Sequence, residues 1–485
     1  MKIAMLAARG GVWAWQAALA DTLASKHSVR RFSAQAARPP VLMRALLALE
    51  ARVFGRSKLA AMSVWQGEQA PIDPTAFDLI IDLTGGGALP GALMLHYDGH
   101  AKESFLWGRL LRKQLPLIDV RRSDDVLAAS FVAIEDQSVL TRSLGFAFAR
   151  ARTLVERAVE IIAGMRARAP LPEPSNLPPA PYGDVALASF ALARIGSSFM
   201  ALLRKRGHWI VALRRGAGDF TYAPARAGHF LADPLLFEHQ GRAFLFVEDL
   251  DYADNKGRIT AAELNDSAPQ FEMALEEPHH LSYPFVFSHE DDVYLMPECV
   301  GARKQVIYRA IDFPSKWTHH SDIFDGMATC DATIVEHGGR FWMFCTQPAP
   351  IGSSWDELSI YHSESPLGPW RPHVLNPVKS DARGSRPGGR MRVHNGRLFR
   401  PAQDCSAGYG SKLAWYEVTE LTPSTFAEVR IETWSPETCG AFTGLHTYDR
   451  AGDWEVIDLK MDRPRKGAVR PRFTPNHNLK APDGP

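Results

Sequence analysis

The sequence is poor in cysteine, in net charge and in long apolar runs. Its five cysteines are odd in number and form no CxxC pair, so neither a disulfide framework nor a cysteine zinc site is expected. The formal net charge of +1 gives no argument for nucleic-acid binding. No stretch approaches the ~20 apolar residues that span a bilayer, and Arg9 interrupts the short apolar start, unlike a signal peptide. We therefore expect a soluble globular protein of a reducing compartment, located in the cytoplasm.

Residues 1–166 alternate strand-like and helix-like patterns. The predicted strands are 2–7, 28–32, 77–83 and 115–120, and the predicted helices are 12–23 and 147–165. This alternation predicts a parallel, doubly wound α/β sheet of the Rossmann type. The glycines at 85–87 follow a strand, but neither a G-x-G-x-x-G nor a Walker pattern is present, so a structural turn is favoured over a phosphate site.

The segment 78–96 resembles the core of the formyltransferase fold, in which a strand and loop of this kind lead to an Asn-x-His pair. His96 is retained, whereas Met94 stands where the Asn is expected. In that family the Asn and an Asp polarise and deprotonate during formyl transfer. The resemblance therefore implies a degenerate formyltransferase-like domain, and formyl or acyl transfer ranks last among the functions considered.

Residues 167–207 connect this domain to the remainder of the chain. Six prolines within 167–183 predict an extended, semi-rigid linker. The apolar stretch 184–206, which ends in Arg204-Lys205-Arg206, predicts one helix. This helix could be a strut between domains, or it could make peripheral contact with a membrane through its basic end. The tail 463–485 is rich in Arg, Lys and Pro, and we expect it to be partly disordered.

Residues 208–462 contain four copies of one phrase, at 233–248, 283–298, 331–346 and 388–403. The copies are 50, 48 and 57 residues apart, and each consists of two short apolar runs around a polar turn. Each copy predicts a strand, a tight turn and a strand, and a looser hairpin follows it. Four strands per unit at this period are typical of propeller blades. A weaker fifth unit at 441–458, joined by a strand at 209–214, would close an all-β five-bladed propeller.

Polar residues stand where the copies stop agreeing. The first strand of each blade lines the central channel, so equivalent positions converge on the axis. The first predicted ring is Asp233, Tyr283, Asp331 and Gly388, and the second is Glu248, Glu298, Thr346 and Gln403, followed by Asp404. Acids at the start of a buried strand are costly, which predicts a polar site there. The alternative is that these acids cap turns or bind backbone amides at the blade starts.

The Asp233-Pro phrase, the blade hairpins and the segment 362–370 resemble the five-bladed propeller glycosidases of the arabinanase, xylosidase and fructosidase type. The resemblance implies that Asp233 is the base and that Asp331 tunes and orients. Paired carboxylates of this kind activate water and protonate the leaving oxygen. The acid of that family has no counterpart at the start of the fourth copy, so Glu298 or Glu248 would have to supply the proton from another strand.

Arginines replace the expected acid in the fourth copy and predict an anion site. Arg386, Arg390 and Arg400 could clamp a phosphate or carboxylate in bidentate fashion. Salt bridges from these arginines to the ring of acids are the open alternative. His280 and Tyr283, at the entrance of the second blade, complete the predicted substrate-binding set together with Asp404. No metal site and no cofactor is expected.

Motifs spread over 208–460 resemble the propeller region at the N-terminus of plant glucosamine inositolphosphorylceramide transferases and of bacterial relatives that join it to a formyltransferase-like domain. These motifs are 231–234, 248–254, 277–284, 355–358 and 400–405. The resemblance implies a carbohydrate, nucleotide-sugar or glycolipid partner. One hypothesis is glycosyl transfer or hydrolysis in the central pocket. The other is a non-catalytic glycan-binding or scaffold module in surface-polysaccharide assembly, so whether the protein is an enzyme stays open.

Overall fold

Two domains make up the described part of the chain. The computed structural model describes residues 1–35, 39–55, 57–86, 89–174, 176–202, 205–324, 326–348, 352–464 and 481. Gly87, Arg204 and almost all of the basic tail lie outside the described residues, and so do the predictions made for them. The first domain is α/β, as predicted, and the second is a five-bladed β-propeller, also as predicted.

In the residues that the structure describes, the first domain is a six-stranded sheet with five α-helices. Its strands are β1 (Lys2–Ala8), β2 (Val12–Trp13), β3 (Ser28–Ala34), β4 (Met62–Ser63), β5 (Leu79–Asp82), β6 (Leu93–Tyr97), β7 (Leu117–Arg122) and β8 (Asp125–Phe131). Its helices are α1 (Ala14–Ala24), α2 (Val41–Phe54), α3 (Ser104–Leu111), α4 (Leu140–Ile162) and α5 (Asp184–Leu202). The sheet order is β3-β1-β5-β6-β7-β8, and β2 pairs with β4 in a separate two-stranded ribbon.

The predicted parallel, doubly wound arrangement is wrong in two respects. Strand β7 is antiparallel to both of its neighbours, β6 and β8, and the turn from β7 to β8 is too short for the crossover that parallel strands require. Buried side chains of α1–α5 all join the core on one face of the sheet, around Trp15 and Phe148. On the other face the apolar cluster is completed by residues outside the helices, such as Ile72 and Phe77.

The segment 167–183 runs along the first domain and does not span an open gap. Arg109 Nη2 donates to the carbonyl oxygen of Pro178 at 2.9 Å. Leu187 and Phe190 of α5 are buried in the core of the same domain. The described part of α5 is therefore a packing element of the first domain. Among the described residues, the helices are all too short or too polar to cross a membrane.

Twenty-one strands form the propeller in the described residues. Blade 1 contains β11 (His229–His239), β12 (Arg242–Asp251), β13 (Lys256–Leu264) and β14 (Glu272–Leu275), after β9 (Lys205–Arg215) and β10 (Thr221–Tyr222). Blade 2 contains β15 (Ser282–His289), β16 (Asp292–Glu298), β17 (Gln305–Asp312) and β18 (Lys316–Phe324). Blade 3 contains β19 (Cys330–His337), β20 (Arg340–Thr346), β21 (Glu357–Ser363), β22 (Arg371–Pro372) and β23 (Lys379–Ser380). Blade 4 contains β24 (Arg392–His394), β25 (Arg397–Asp404), β26 (Lys412–Leu421) and β27 (Phe426–Trp434), and β28 (Tyr448–Ala451) and β29 (Trp454–Pro464) follow.

Blade 5 closes the ring by combining the two ends of the propeller. Its sheet order is β28-β29-β9-β10, with β29 antiparallel to β9 from Trp454–Arg215 to Pro464–Lys205. The predicted pairing of the early strand with the fifth unit is confirmed. Closure satisfies backbone groups that would otherwise form open sheet edges, which explains why the chain needs both ends of the repeat region.

The inner strands of blades 1, 2 and 3 share one irregularity. In each blade the ladder register shifts at the first two residues of the repeated phrase. Asp233, Tyr283 and Asp331 lie in these bulges with φ of 49°, 45° and 50°. Positive φ is uncommon for residues other than glycine, and such backbone persists only where surrounding contacts hold it. The three residues are therefore presented from three blades in the same way.

The fourth copy of the phrase meets blade 5 so closely that it requires glycine. Gly389 has φ of 129°, and a Cβ atom there would lie 1.9 Å from the carbonyl oxygen of Tyr448. We expect Gly389→Ala to lower the free energy of unfolding by about 2–3 kcal/mol, because the backbone must shift. Gly396→Ala is the control, since its φ is also positive but its Cβ would meet open space; about 1 kcal/mol is expected. Equal losses in thermal unfolding would contradict the close packing.

A buried interface joins the two domains. Phe131 of β8 forms a parallel bridge to Asp381, beside β23 of blade 3. Arg150 of α4 donates from Nη2 to Oδ1 of Asp356 at 2.6 Å, and both side chains are buried. Loop 352–357, which leads into β21, is therefore attached to the first domain. This attachment matters for the site, because the same loop also reaches the channel.

Candidate functional site

The four carboxylates predicted to be catalytic lie at one end of the propeller channel. Asp233 and Asp331 come from the inner-strand bulges and are almost completely buried. Glu248 and Glu298 lie on the second strands of blades 1 and 2, where they pair with Ala232 and Ser282, the residues just before the inner-strand bulges. Hydrogen bonding across the hairpins thus places inner-strand and second-strand acids side by side. The structure brings these four predicted residues together.

Asp233 is held on both carboxylate oxygens. Oδ2 accepts the backbone N–H of Tyr283 at 3.2 Å, and Oδ1 accepts the hydroxyl of Thr447 at 3.2 Å. Nε2 of His446 lies 3.3 Å from Oδ1. Burial raises the pKa of Asp233 to about 7; His446 opposes this shift and Glu248 reinforces it. The carboxyl group can therefore gain and lose a proton near neutral pH.

His446 links Asp233 to a second buried carboxylate. Its Nδ1 lies 2.6 Å from Oδ2 of Asp458. Burial alone would lower the pKa of His446, but the carboxylates of Asp458 and Asp233 raise it above its ordinary value. Asp458 also accepts the backbone N–H groups of Asp233, His446 and Thr447 at 2.9–3.1 Å. In the described residues, the side chains of Asp233, His446 and Asp458 lie close enough together to share a cation. The short contact between His446 and Asp458 and the N–H groups donated to Asp458 fit a chain of hydrogen bonds instead.

Arg386 stands where the acid of the fourth copy was expected, and it pairs with two acids. Nε donates to Oδ2 of Asp331 at 2.5 Å, and Nη2 donates to Oε2 of Glu298 at 3.1 Å. Gln403 also donates to Asp331, at 2.6 Å. Burial raises the pKa of Glu298 well above its ordinary range, against the opposing effect of Arg386. The salt bridges that the sequence left open as an alternative are therefore the contacts that Arg386 makes.

Arg390 and Arg400 do not join Arg386. Arg390 donates from Nη2 to the carbonyl oxygen of Val286 at 2.9 Å. Arg400 makes a bidentate pair with Glu428 inside blade 4, at 2.9 and 2.7 Å. The predicted clamp of three arginines around one anion is not assembled. The reason is that each guanidinium is bonded to different protein groups in or around the propeller.

Tyr283 fills the channel and does not line an open pocket. Its side chain is fully buried, and its hydroxyl lies 2.7 Å from Oγ1 of Thr333. The same hydroxyl accepts the backbone N–H of Gly389 at 2.9 Å. The side chain of Tyr283, which belongs to blade 2, thus forms hydrogen bonds with blades 3 and 4. This geometry assigns Tyr283 a packing role beneath the acids.

His280 is the exposed member of the predicted site. Its side chain is 43% exposed, its Nδ1 accepts the backbone N–H of Gly257 at 2.9 Å, and its Nε2 lies 3.2 Å from Oε1 of Glu248. Because Nδ1 accepts, the neutral ring carries its hydrogen on Nε2 and donates to Glu248. Asp404 is placed differently, since its Oδ1 accepts the backbone N–H of Ser406 at 2.9 Å in a turn after β25.

Aromatic rings form one wall of this channel end. Trp209 stacks on His446 with centroids 3.9 Å apart, and Tyr409 meets His446 edge-on at 5.3 Å. Trp355 lies 5.5 Å from Tyr409 between ring centroids. The guanidinium of Arg386 lies 5.2 Å from the Tyr409 centroid. Charged groups beside flat aromatic surfaces are suited to binding a polar ring-shaped ligand.

Sequence reasoning missed His446, Asp458 and Tyr409 as site residues. One signal for Asp458 was available, because it follows the apolar pair Val456-Ile457 as Glu248 follows the apolar run 244–247. No such signal exists for Tyr409, which lies in a loop between β25 and β26. Its place at the channel follows from folding alone.

Residues 213–444 match the family model described as the N-terminal region of glucosamine inositolphosphorylceramide transferase 1. Two plant proteins named glucosamine inositolphosphorylceramide transferase 1 are similar to this chain. The Oryza sativa subsp. japonica protein is 38% identical over 217 residues, which is 43% of this chain and 29% of that protein. The Arabidopsis thaliana protein is 35% identical over 209 residues, 42% of this chain and 27% of that protein. The family resemblance predicted for the propeller is confirmed, and the chain matches less than a third of these relatives' length.

Two solved glycoside hydrolases match this chain at low similarity. Zg3597, a family 117 glycoside hydrolase of Zobellia galactanivorans, is 14% identical with a TM-score of 0.37, covering 56% of this chain and 96% of its own. The α-L-arabinofuranosidase PaAbf62A of Podospora anserina is 11% identical with a TM-score of 0.36, covering 48% of this chain and 91% of its own.

Proposed function

We propose that this channel end binds a carbohydrate and carries out glycosyl transfer or hydrolysis, with Asp233 as the general base. The observation that carries the proposal is the convergence of Asp233, Glu248, Glu298 and Asp331 from three blades. Glycosidic chemistry requires such carboxylates, one to accept a proton and another to supply one. The adjacent aromatic rings would provide stacking surface for a sugar.

The contacts suggest a division of roles among the side chains. Asp233 would take a proton from the attacking hydroxyl or water, and the positive charge on His446 would stabilise its carboxylate form. Asp331, paired with Arg386, would orient the site. The pair of buried Glu248 and exposed His280 would donate the proton to the leaving oxygen. The name of the plant relatives supports a glycolipid or nucleotide-sugar substrate. The five buried cysteines, which form no disulfide, support a cytoplasmic location.

Asp233→Asn is expected to reduce turnover about a hundredfold or more, because the amide cannot accept a proton. The purified protein would be offered nucleotide sugars and aryl glycosides, and product formation would be followed. Wild-type activity should rise with pH through about 7, as the Asp233 carboxyl ionises. Asp449→Asn is the matched control, since Asp449 is fully buried and accepts the N–H of Leu236 at 2.8 Å, outside the predicted acid set.

Turnover that survives Asp233→Asn in the folded protein would exclude this role. The alternative, a non-catalytic glycan-binding module, is favoured by one observation: Asp233 and Glu298 each accept a backbone N–H of a neighbouring blade. Calorimetric binding of oligosaccharides without turnover, unchanged by Asp233→Asn, would establish that alternative. A formyltransferase-like origin of the first domain, without formyl transfer, remains part of the proposal.

A further inference from the structure

Helix α2 turns large apolar side chains to solvent. Val41, Leu42, Leu49 and Val53 are between 58% and 70% exposed. Leu42, Leu49 and Val53 are spaced by seven and four residues, so they form one stripe along the helix. Contiguous apolar surface of this kind on a folded domain marks a place where something else binds.

The basic and acidic side chains of α2 lie on opposite faces of the helix. Arg44 and Arg52 are exposed, beside the apolar stripe. Glu50, the single acid of this helix in the sequence, is buried and accepts the backbone N–H groups of Leu140 and Thr141 at 3.0 and 2.8 Å. The outward face therefore combines leucine and valine with arginine and presents no acid.

Helix α5 extends this surface. The guanidinium of Arg194 lies 4.4 Å from the ring centroid of Phe54, so the middle of α5 adjoins the end of α2. Val185 and Leu192, seven residues apart on α5, are exposed. Two neighbouring helices thus offer apolar side chains to solvent, while Leu187 and Phe190 on the inner side of α5 hold it to the domain.

We propose that the outer faces of α2 and α5 dock on the surface of a membrane that contains anionic lipid. Apolar side chains with flanking arginines are the composition by which a helix lies in the headgroup region, and each arginine adds attraction to anionic lipid. A second copy of this chain fits the α2 face less well, because symmetric contact would bring Arg44 and Arg52 of both copies together without an acid of α2 to offset them. This inference does not depend on the proposed function of the propeller.

Co-sedimentation of the full chain with lipid vesicles tests the docking. Vesicles of phosphatidylcholine with about a quarter phosphatidylglycerol are expected to bind the wild type, and Leu42→Ser/Leu49→Ser/Val53→Ser should weaken binding about tenfold or more. Arg44→Ala and Arg52→Ala should each weaken binding about fivefold on these vesicles, with little effect on pure phosphatidylcholine. The control is Ile311→Ser/Val429→Ser, which removes exposed apolar side chains from the propeller and should bind like the wild type.

Wild-type protein that stays in solution with the anionic vesicles would overturn the inference. The inference would also be overturned if the triple α2 variant binds the vesicles as tightly as the wild type while the propeller control binds them less tightly. Light scattering of the same samples tests whether a second copy of the chain occupies this face. If the wild type is a dimer and the triple variant is a monomer, the face belongs to a second copy and membrane docking is overturned. Circular dichroism verifies that each variant is folded, and the substituted side chains are all on the solvent side.

Discussion

Arg386→Met is expected to destabilise the propeller by about 3–5 kcal/mol. Arg386 is buried and bonds to Asp331 and Glu298, so its removal leaves two carboxylates in a low-dielectric channel without a counterion. Breaking a buried ion pair by removing one partner costs this much, because the remaining charge has lost its water as well as its partner. Methionine has a similar length, which keeps the cavity contribution small.

Thermal and denaturant unfolding at pH 8 and pH 5 would measure this effect. The loss should shrink at pH 5, because burial already raises the pKa of Glu298 and protonation removes the unpaired charge. Arg397→Met is the control in the same blade: its pair with Glu417 is exposed and screened by solvent, so a much smaller change is expected. If Arg386→Met unfolds like the wild type at pH 8, Arg386 does not neutralise the acids and is available to an anionic ligand.

Arg150→Met is expected to weaken the contact between the domains by a similar amount, about 3–5 kcal/mol. The guanidinium pairs with Asp356, whose Oδ2 also accepts the backbone N–H of Ala133 at 2.9 Å, and it contacts Glu357. Burial works against the ionised form of Glu357, yet Arg150 and Arg157 hold its pKa far below the ordinary range. Removal of Arg150 therefore leaves the buried carboxylate of Asp356 without its counterion, whereas Glu357 keeps its pair with Arg157.

Calorimetry separates this effect from general destabilisation. Wild-type domains coupled through the interface should unfold together, whereas Arg150→Met should unfold in two steps or show a lowered first transition. Arg152→Met, on the same helix and paired with Glu156 near the surface, should change little. The double variant Arg150→Met/Asp356→Leu should recover part of the stability, since it removes the unpaired charge. Additive losses would argue that the two residues do not interact.

The same contact connects the first domain to the candidate site. Ser354 lies 3.4 Å from Nη1 of Arg386, and Trp355 packs near Tyr409. Both residues belong to the loop that Arg150 holds through Asp356. Loss of carbohydrate binding in Arg150→Met would therefore be expected alongside the loss of stability, because the aromatic wall would no longer be fixed. The first domain thus contributes to the site through position.

The repeat could be predicted well because each blade is a local structure. Two apolar runs around a turn such as Gln240-Gly241 specify a hairpin within about twenty residues, and four such copies, with a weaker fifth unit, specify the ring. The first domain was harder, because Leu93–Tyr97 and Asp125–Phe131 carry no strong alternation. Their strand state and antiparallel pairing depend on neighbours distant in sequence.

The candidate site, like the fold, could be predicted from the sequence only in part. Asp233, Asp331, Glu248 and Glu298 were found because equivalent positions of a repeat must meet at one axis. The predicted clamp of three arginines is not assembled. Arg390 and Arg400 were grouped with Arg386 because the three residues are close in the sequence. Along an extended strand successive side chains alternate faces, and Arg400 faces Glu428 within its own blade.

The repeated phrase and its unequal positions determined, from the sequence alone, that this protein is a five-bladed propeller with acids at one end of its channel. Periodicity is enough for that, because every copy must bury the same apolar positions. The tertiary structure alone decided what those acids do to one another. Whether Asp233 meets His446, whether Arg386 neutralises Asp331, and whether Trp355 reaches Tyr409 are set by contacts between blades and between domains. Their desolvation and pairing energies depend on distances that no local pattern encodes.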